Sequence, residues 1–271
     1  MRFYFFVPTI VLIMNANLLA QIDFTDNFDD GNIDDWQMFD PIAFQLGEPH
    51  SRAIPTDGAV RLDAPATPDP ALGPTAFAMF RPELIFSDFD MSVDVLEDNS
   101  DKGTVYGLAA RTQMPFVSYL LLVGNTDPEV EPFPAGRNAL SILRLDGVSE
   151  EGLAFEVLDE VYFDLPEEVE QLKLVFQGKD SNLSGELFDL ANPGAPLVTV
   201  AGSDAAYATG YSEIVAGSAA PAGGMPFFGS STDIVVDNFS LVATTKIPEP
   251  SSSVLLLTMT AVVVCSQRRK R

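Results

Sequence analysis

Asp88-Phe89-Asp90-Met91-Ser92-Val93-Asp94-Val95 decides the fold. Phe89, Met91, Val93 and Val95 alternate with Asp88, Asp90, Ser92 and Asp94, the period of two that gives a strand one buried and one wet face. The same period or a short apolar run returns along most of the chain. Val105 to Arg111 and Tyr119 to Val123 are more continuously apolar, as in central strands covered on both faces. Leu140 to Leu145 follows and ends at Asp146-Gly147, a tight-turn dipeptide. Further strands are expected at Phe155 to Phe163, Leu172 to Gln177, Leu183 to Phe188, Leu197 to Val200, Tyr211 to Val215 and Ile234 to Val242. A short one is expected at Ala59 to Leu62 within the Pro-rich stretch from Pro41 to Pro74, which reads as non-helical. No window carries an amphipathic helix of ten residues. Eleven to thirteen strands at this spacing predict an all-β sandwich or barrel.

Two long loops interrupt the rhythm, Asn125 to Asn138 and Gly217 to Thr232, and loops of this length on a β scaffold are functional or mobile. Phe133, Phe227 and Phe228 lie within them and are candidate ligand contacts, or else aromatics that tuck their own loops down. Trp36 reads as a core residue and His50 as a loop residue.

Charge narrows the function classes. The 271 residues carry 39 Asp+Glu against 15 Lys+Arg, a net of -24. Setting aside Arg2, Lys246, the four terminal cations and Glu249 leaves residues 21–245 with nine cations against 38 acids, a net of -29. Such a body repels nucleic acid and anionic membranes and attracts divalent cations. The one cysteine, Cys265, lies near the C-terminus and the one histidine is His50, which excludes disulfides, a thiol nucleophile and histidine-cluster metal sites in the body and disfavours a Ser-His-Asp triad.

Both ends carry apolar segments. Arg2 followed by the run Phe3 to Leu19 reads as a secretory signal over residues 1–20, cut after Ala20, or alternatively as an uncleaved anchor. At the other end Pro248-Glu249-Pro250 precedes the uncharged stretch Ser251 to Gln267 and the cations Arg268-Arg269-Lys270-Arg271. Such a stretch is near the lower limit for a bilayer of ~30 Å, and the cations would stay cytoplasmic. This three-part segment, residues 246–271, resembles the PEP-CTERM sorting signal. The resemblance implies a membrane anchor recognised and cut near the triplet by an exosortase; a plain single-pass anchor is the alternative.

Between the ends, Asn27-Phe28-Asp29-Asp30-Gly31 with Trp36, Tyr106 to Arg111 followed by Ser118 to Val123, Leu172 to Gly178 and Val236 to Leu241 occur in an order that resembles the LamG-like branch of the concanavalin A-like lectin/glucanase superfamily. Over residues 21–245 the resemblance implies a jelly-roll β-sandwich of two antiparallel sheets with first and last strands paired, in a family of mostly carbohydrate- or protein-binding modules and some enzymes. Its glycosidases carry a Glu-x-Asp-x-x-Glu strand, absent here; Glu156, Asp159 and Glu160 come closest and should scatter over both faces.

Calcium is the remaining metal chemistry, since hard cations take oxygen ligands. Asp237 shares strand parity with Val235, Phe239 and Leu241 and needs a partner if that face is buried. Asp26, Asn27 or Asp29 would reach it if the end strands pair; a backbone or arginine partner, or a bulge turning Asp237 outward, are the other readings. The expectation is therefore an exported, exosortase-sorted, non-catalytic envelope or matrix protein that binds polysaccharide. A glycan-active enzyme and a purely structural matrix protein are the alternatives.

Overall fold

The computed structural model describes residues 19–69, 72–73, 75–125, 138–149, 152–218 and 230–246. In chain order its elements are β1 (Leu19–Asp26), β2 (Gln37–Phe39), α1 (Pro41–Leu46), β3 (Arg52–Thr56), β4 (Ala59–Ala64), β5 (Ala76–Phe80), β6 (Asp88–Asp98), β7 (Thr104–Met114), β8 (Val117–Asn125), β9 (Asn138–Ser149), β10 (Gly152–Phe163), β11 (Leu172–Lys179), β12 (Asn182–Asp189), β13 (Val198–Ser203), β14 (Tyr211–Ser218) and β15 (Thr232–Lys246). Residues 21–245 form one compact unit.

The strands make a jelly-roll sandwich. One sheet runs β13-β12-β11-β6-β15-β4-β3, with β1 also paired to β15; the other runs β10-β9-β8-β7-β14-β5-β2. First and last strands pair as expected. The core between the sheets is built from the alternation that defines them: Phe89, Met91, Val93 and Val95 of β6 and Leu174 and Phe176 of β11 meet Tyr106, Leu108, Leu121 and Ile142 of the second sheet. Glycine permits the closest contacts, since a Cβ at Gly178 would overlap the Phe89 ring and one at Gly185 would overlap Leu121 Cδ1.

Three readings need correction. Residues 41–46 are helical despite Pro41, because proline sits in the first turn, where its missing N–H costs nothing. Asp40 caps that turn through the N–H groups of Ile42 and Ala43, and Gly47 ends it with a left-handed φ of 76°. Asp146-Gly147 does not end its strand. β9 runs on to Ser149, and the register shift opposite Ala154/Phe155 absorbs the extra residue as a bulge. The parity of β15 also breaks, with a shift between Asp237 and Ser240 where Asn238 takes a φ of 50°. Ile234 and Val236 before the bulge and Phe239 and Leu241 after it all enter the core. Asp237 is turned outward, only half-buried.

One end of the sandwich is tied by a charged side chain. Arg111 is 1 % exposed. It donates to the carbonyls of Ser87 at 2.6 Å, Asp180 at 2.8 Å and Tyr207 at 3.3 Å, lies 3.6 Å from Asp88 Oδ1 and rests over the rings of Phe89 and Tyr119. Beside it Tyr119 donates to Asp204 at 2.5 Å and accepts from the Tyr207 N–H at 3.0 Å. Arg144 then bridges Asp204, Asp146 and Glu156 at 2.6, 2.9 and 2.9 Å. These contacts join both sheets and the β13–β14 connection. Arg111→Met fills the volume but leaves three carbonyls, that of Ser87 buried, without their donor, and should cost about 3 kcal/mol in urea unfolding.

Candidate functional site

Two places on the sandwich gather chemistry. The first is where β1 meets β15. The Asp26 carboxylate accepts the Phe28 N–H at 3.0 Å and the Trp36 indole N–H at 2.8 Å, which fixes Trp36 in the core against Phe239, 5.2 Å away and edge-on. Asn27 donates to Asp29 at 2.6 Å. Asp237 accepts the Asn238 N–H at 2.6 Å, and the Asn238 amide also reaches Asp94 at 3.0 Å. Asp94 has a counter-ion, with Lys173 Nζ 3.4 Å from its other oxygen. Partial burial first, then the charges of Asp29, Asp94 and Asp26, push the Asp237 carboxyl up from its ordinary value. Strand pairing thus brings Asp26, Asp29 and Asp237 within electrostatic reach. The donors are all oxygen, as calcium requires. Among the described residues, however, no group of three or more carboxylate, histidine or cysteine side chains converges on a metal position.

The second place is the outer face of the seven-stranded sheet. Directly opposed residues in a sheet point to the same side. Gln37, Phe80, Glu213, Ala109, Leu120 and Leu143 therefore stand in one row, on the face away from Met79, Ile214, Leu108 and Leu121 of the inter-sheet core. This face has its own apolar cluster of Ala109, Leu120, Leu122 and Leu145, with Val105, Phe116, Leu143, Leu153, Phe155 and Val215 packed on it. It is curled. Phe39 of β2 and Phe116 of the β7–β8 turn meet edge-on at 5.5 Å, although three strand spacings, roughly 14 Å, would part β2 from β7 in a flat sheet.

On β14, between β5 and β7 of this face, lies Glu213, 7 % exposed. No hydrogen bond or ion pair reaches its carboxyl among the described residues. Phe80 is opposite on β5 and Ala109 on β7, while Tyr211 and Val215 flank it on its own face of β14. Phe80 and Tyr211 stack at 5.3 Å. The nearby cations face elsewhere: Arg81 lies over the Phe24 and Trp36 rings and pairs with Glu83, and Arg111 is turned into the core. Burial alone therefore pushes the Glu213 carboxyl up to about 7.

Glu156, Asp159 and Glu160 scatter as expected. Glu156 pairs with Arg144, Asp159 accepts the Ala201 N–H and Glu160 accepts the Ser141 hydroxyl. His50 is a loop residue touching the Pro65 carbonyl. Phe133, Phe227 and Phe228 lie outside the described residues, as do Pro248, Glu249, Pro250, Arg268, Arg269, Lys270, Arg271 and the stretch expected to span a membrane. The residues flanking the two long loops, Asn125, Asn138 and Ser218, share one end of the second sheet, where Thr104 pairs with both Asn125 and Ser218. Among the described residues no helix is long and apolar enough to cross a membrane. Glu213 was missed because one acid in Tyr211-Ser212-Glu213-Ile214-Val215 looks like the wet position of an edge strand. Its only sequence signal is an acid inside an otherwise uncharged run.

No family model and no curated protein matches the chain. Among solved structures it is similar to the carbohydrate-binding module CBM66 from Bacillus subtilis, at 11% identity over 75% of this chain and 93% of that one, TM-score 0.45. It is similar to the VIP36 exoplasmic/lumenal domain in a Ca2+/Man3GlcNAc-bound form, at 14% identity over 84% and 92%, TM-score 0.48. It is similar too to a legume lectin-like domain from Entamoeba histolytica, at 11% identity over 80% and 95%, TM-score 0.49.

Glu213 predicts a pH dependence of stability. Folding raises its pKa from 4.5 to about 7, so the folded chain holds the proton more tightly and stability falls as pH climbs through that window, by about 3 kcal/mol in all. Below pH 4 the opposite trend sets in, because Asp101, Asp146 and Asp204 are held below their ordinary values by their partners. Glu213→Gln should be more stable than the parent at pH 8 and equal to it near pH 4.5. Urea midpoints at the two pH values check this.

Proposed function

We propose that the chain is an exported protein whose sandwich binds polysaccharide on the outer face of the seven-stranded sheet without cleaving it. We propose further that residues 246–271 are a PEP-CTERM signal, cut by an exosortase to leave the body in the cell envelope or extracellular matrix. The observation that carries the binding reading is an apolar, curled sheet face, flanked by Phe80, Tyr211, Phe39 and Phe116, with no second sheet packed on it among the described residues. Sugar rings offer apolar C–H faces to aromatic walls and hydroxyls to a few polar groups, the composition of a small-molecule site.

Binding is favoured over hydrolysis because, among the described residues, Glu213 has no carboxylate as a directly paired or flanking neighbour. Glycosidases need two carboxyl groups about 5 to 9.5 Å apart. The cross-strand and same-strand neighbours of Glu213 on its face are Phe80, Ala109, Tyr211 and Val215. Glu160 stands on β10, four strand spacings or roughly 19 Å away along the sheet.

A cation is a second part of the reading, carried by Asp237, whose carboxyl is raised by partial burial first and then by the charges of Asp29, Asp94 and Asp26, which Ca2+ would offset. Asp26, Asn27, Asp29 and Asp237 would supply the oxygens. Millimolar Ca2+ should then raise the melting temperature by several degrees, and Asp237→Asn should remove most of that gain; an unchanged melting curve defeats the calcium reading.

Polysaccharide pull-down with purified protein should retain the chain on at least one matrix glycan, with no reducing ends released. Turnover abolished by a single carboxylate substitution would instead make it an enzyme. Intact mass of the protein from envelope and medium fractions should lack residues 1–20 and everything beyond the Pro248-Glu249-Pro250 region; a full-length C-terminus in both fractions leaves a plain anchor.

A further inference from the structure

Glu213 is costly where it stands. A buried polar group without a partner loses hydration and gains nothing, at about 1 to 3 kcal/mol for a neutral one and more for a charge. The inner face of β14 is made of Ser212, Ile214 and Ala216, so nothing in the inter-sheet core uses the carboxyl. The position across from it is Ala109, fully buried and too short to reach it. On the other side the Phe80 ring offers no hydrogen-bonding group. Among the described residues, the neighbours paired with or flanking Glu213 are Phe80 from β5, Ala109 from β7 and Tyr211 and Val215 from its own strand, and Tyr211 alone of these titrates. Burial followed by the Glu213 charge raises the Tyr211 phenol to about 12, so its hydroxyl stays a donor at any physiological pH.

We propose that Glu213, in its neutral acid form, is the hydrogen-bonding anchor for an uncharged pyranose ring that packs against Phe80 and Tyr211. This rests on the glycan-binding reading above and names its ligand class. A carboxylic acid offers one donor and one acceptor side by side, matching two adjacent sugar hydroxyls. The aromatic pair supplies the apolar wall for the ring's C–H face. A uronate is disfavoured twice, by the absence of a facing cation among the described residues and by a body of net -29. Covering Glu213 with a sugar removes its remaining water, and doing so to a carboxylate without a cation costs more than doing so to the acid. Binding therefore selects the protonated form.

The test is isothermal titration of the full chain in a non-glycosidic detergent. The probes are neutral gluco-, manno-, galacto- and xylo-oligosaccharides together with oligogalacturonate and oligoalginate, each at pH 5.5 and 8.5. One neutral probe should bind, and roughly thirty-fold less tightly at pH 8.5, where only about 3 % of Glu213 would be protonated. Glu213→Gln keeps the donor and acceptor side by side, so it should retain binding and lose the pH dependence. Glu213→Leu keeps the fold, as a matching thermal melt would verify, and should bind at least tenfold less tightly at pH 5.5. Neutral-probe binding that survives Glu213→Leu overturns this inference but leaves the glycan reading intact. Tighter binding of a uronate at pH 5.5 does the same. If no probe binds at either pH, both fall together.

Discussion

A sheet with two apolar faces and one partner sheet is the constraint on which this molecule turns. Each strand of the seven-stranded sheet presents alternate residues to the inter-sheet core, and Leu108, Leu121, Ile142 and Ile214 are spent there. The intervening residues are Ala109, Leu120, Leu122 and Leu145, which form a second cluster on the far side. In an antiparallel sandwich that far side is ordinarily wet and polar. Here it is apolar, and the sheet curls until Phe39 and Phe116 meet across it. Curling lowers the exposed apolar area, but the same curvature makes a concave surface.

The charges are deployed so as to leave that surface alone. Arg61 pairs with Asp233, Arg81 with Glu83, Arg144 with three carboxylates, and Lys173 with Asp94, while Arg111 is consumed by backbone carbonyls in the core. Five of the nine body cations are thus committed to internal partners. The acids they leave unpaired charge the periphery. An anionic polymer would meet the net charge of -29 of the body and, among the described residues, no guanidinium or ammonium paired with or flanking Glu213. A neutral chain meets neither obstacle, which is why the proposed ligand is uncharged.

What the sequence made legible follows from periodicity, and what it hid follows from bulges. Phe89 to Val95 and Leu172 to Gln177 could be assigned to strands and faces because nothing interrupts their alternation. Asp237 could not, because the extra residue at Asn238 moves Phe239 and Leu241 into the core and turns the aspartate outward, one slip reversing every side chain beyond it. Asp146-Gly147 carries the dipeptide of a hairpin turn, yet serves as a bulge inside a strand that continues. Pro41 breaks a helix interior but suits a first turn, a distinction that depends on Asp40 lying just before it. The pairing of β1 with β15 was legible only through the family resemblance, since no local pattern joins residues more than two hundred positions apart.

Glu213 lies beyond any such reading, since its oddity exists only in cross-strand context. The sequence places it beside Ile214 and Val215, and only the pairing with Phe80 and Ala109 reveals that no donor or cation stands opposite. A glutamine would fit the same space with no titratable group to strain, and a leucine would join the adjoining apolar cluster outright. Retaining an acid whose proton is held to about 7 forfeits stability above neutrality, in a molecule that gains nothing structural from it. Groups that are costly to bury and idle in the core are the ones that binding sites retain. Among the described residues, no carboxylate lies directly across from Glu213 or flanks it on its own strand. The same apolar face that makes the carboxyl expensive is the wall against which a sugar ring would pack, so the cost and the use arise from one piece of geometry.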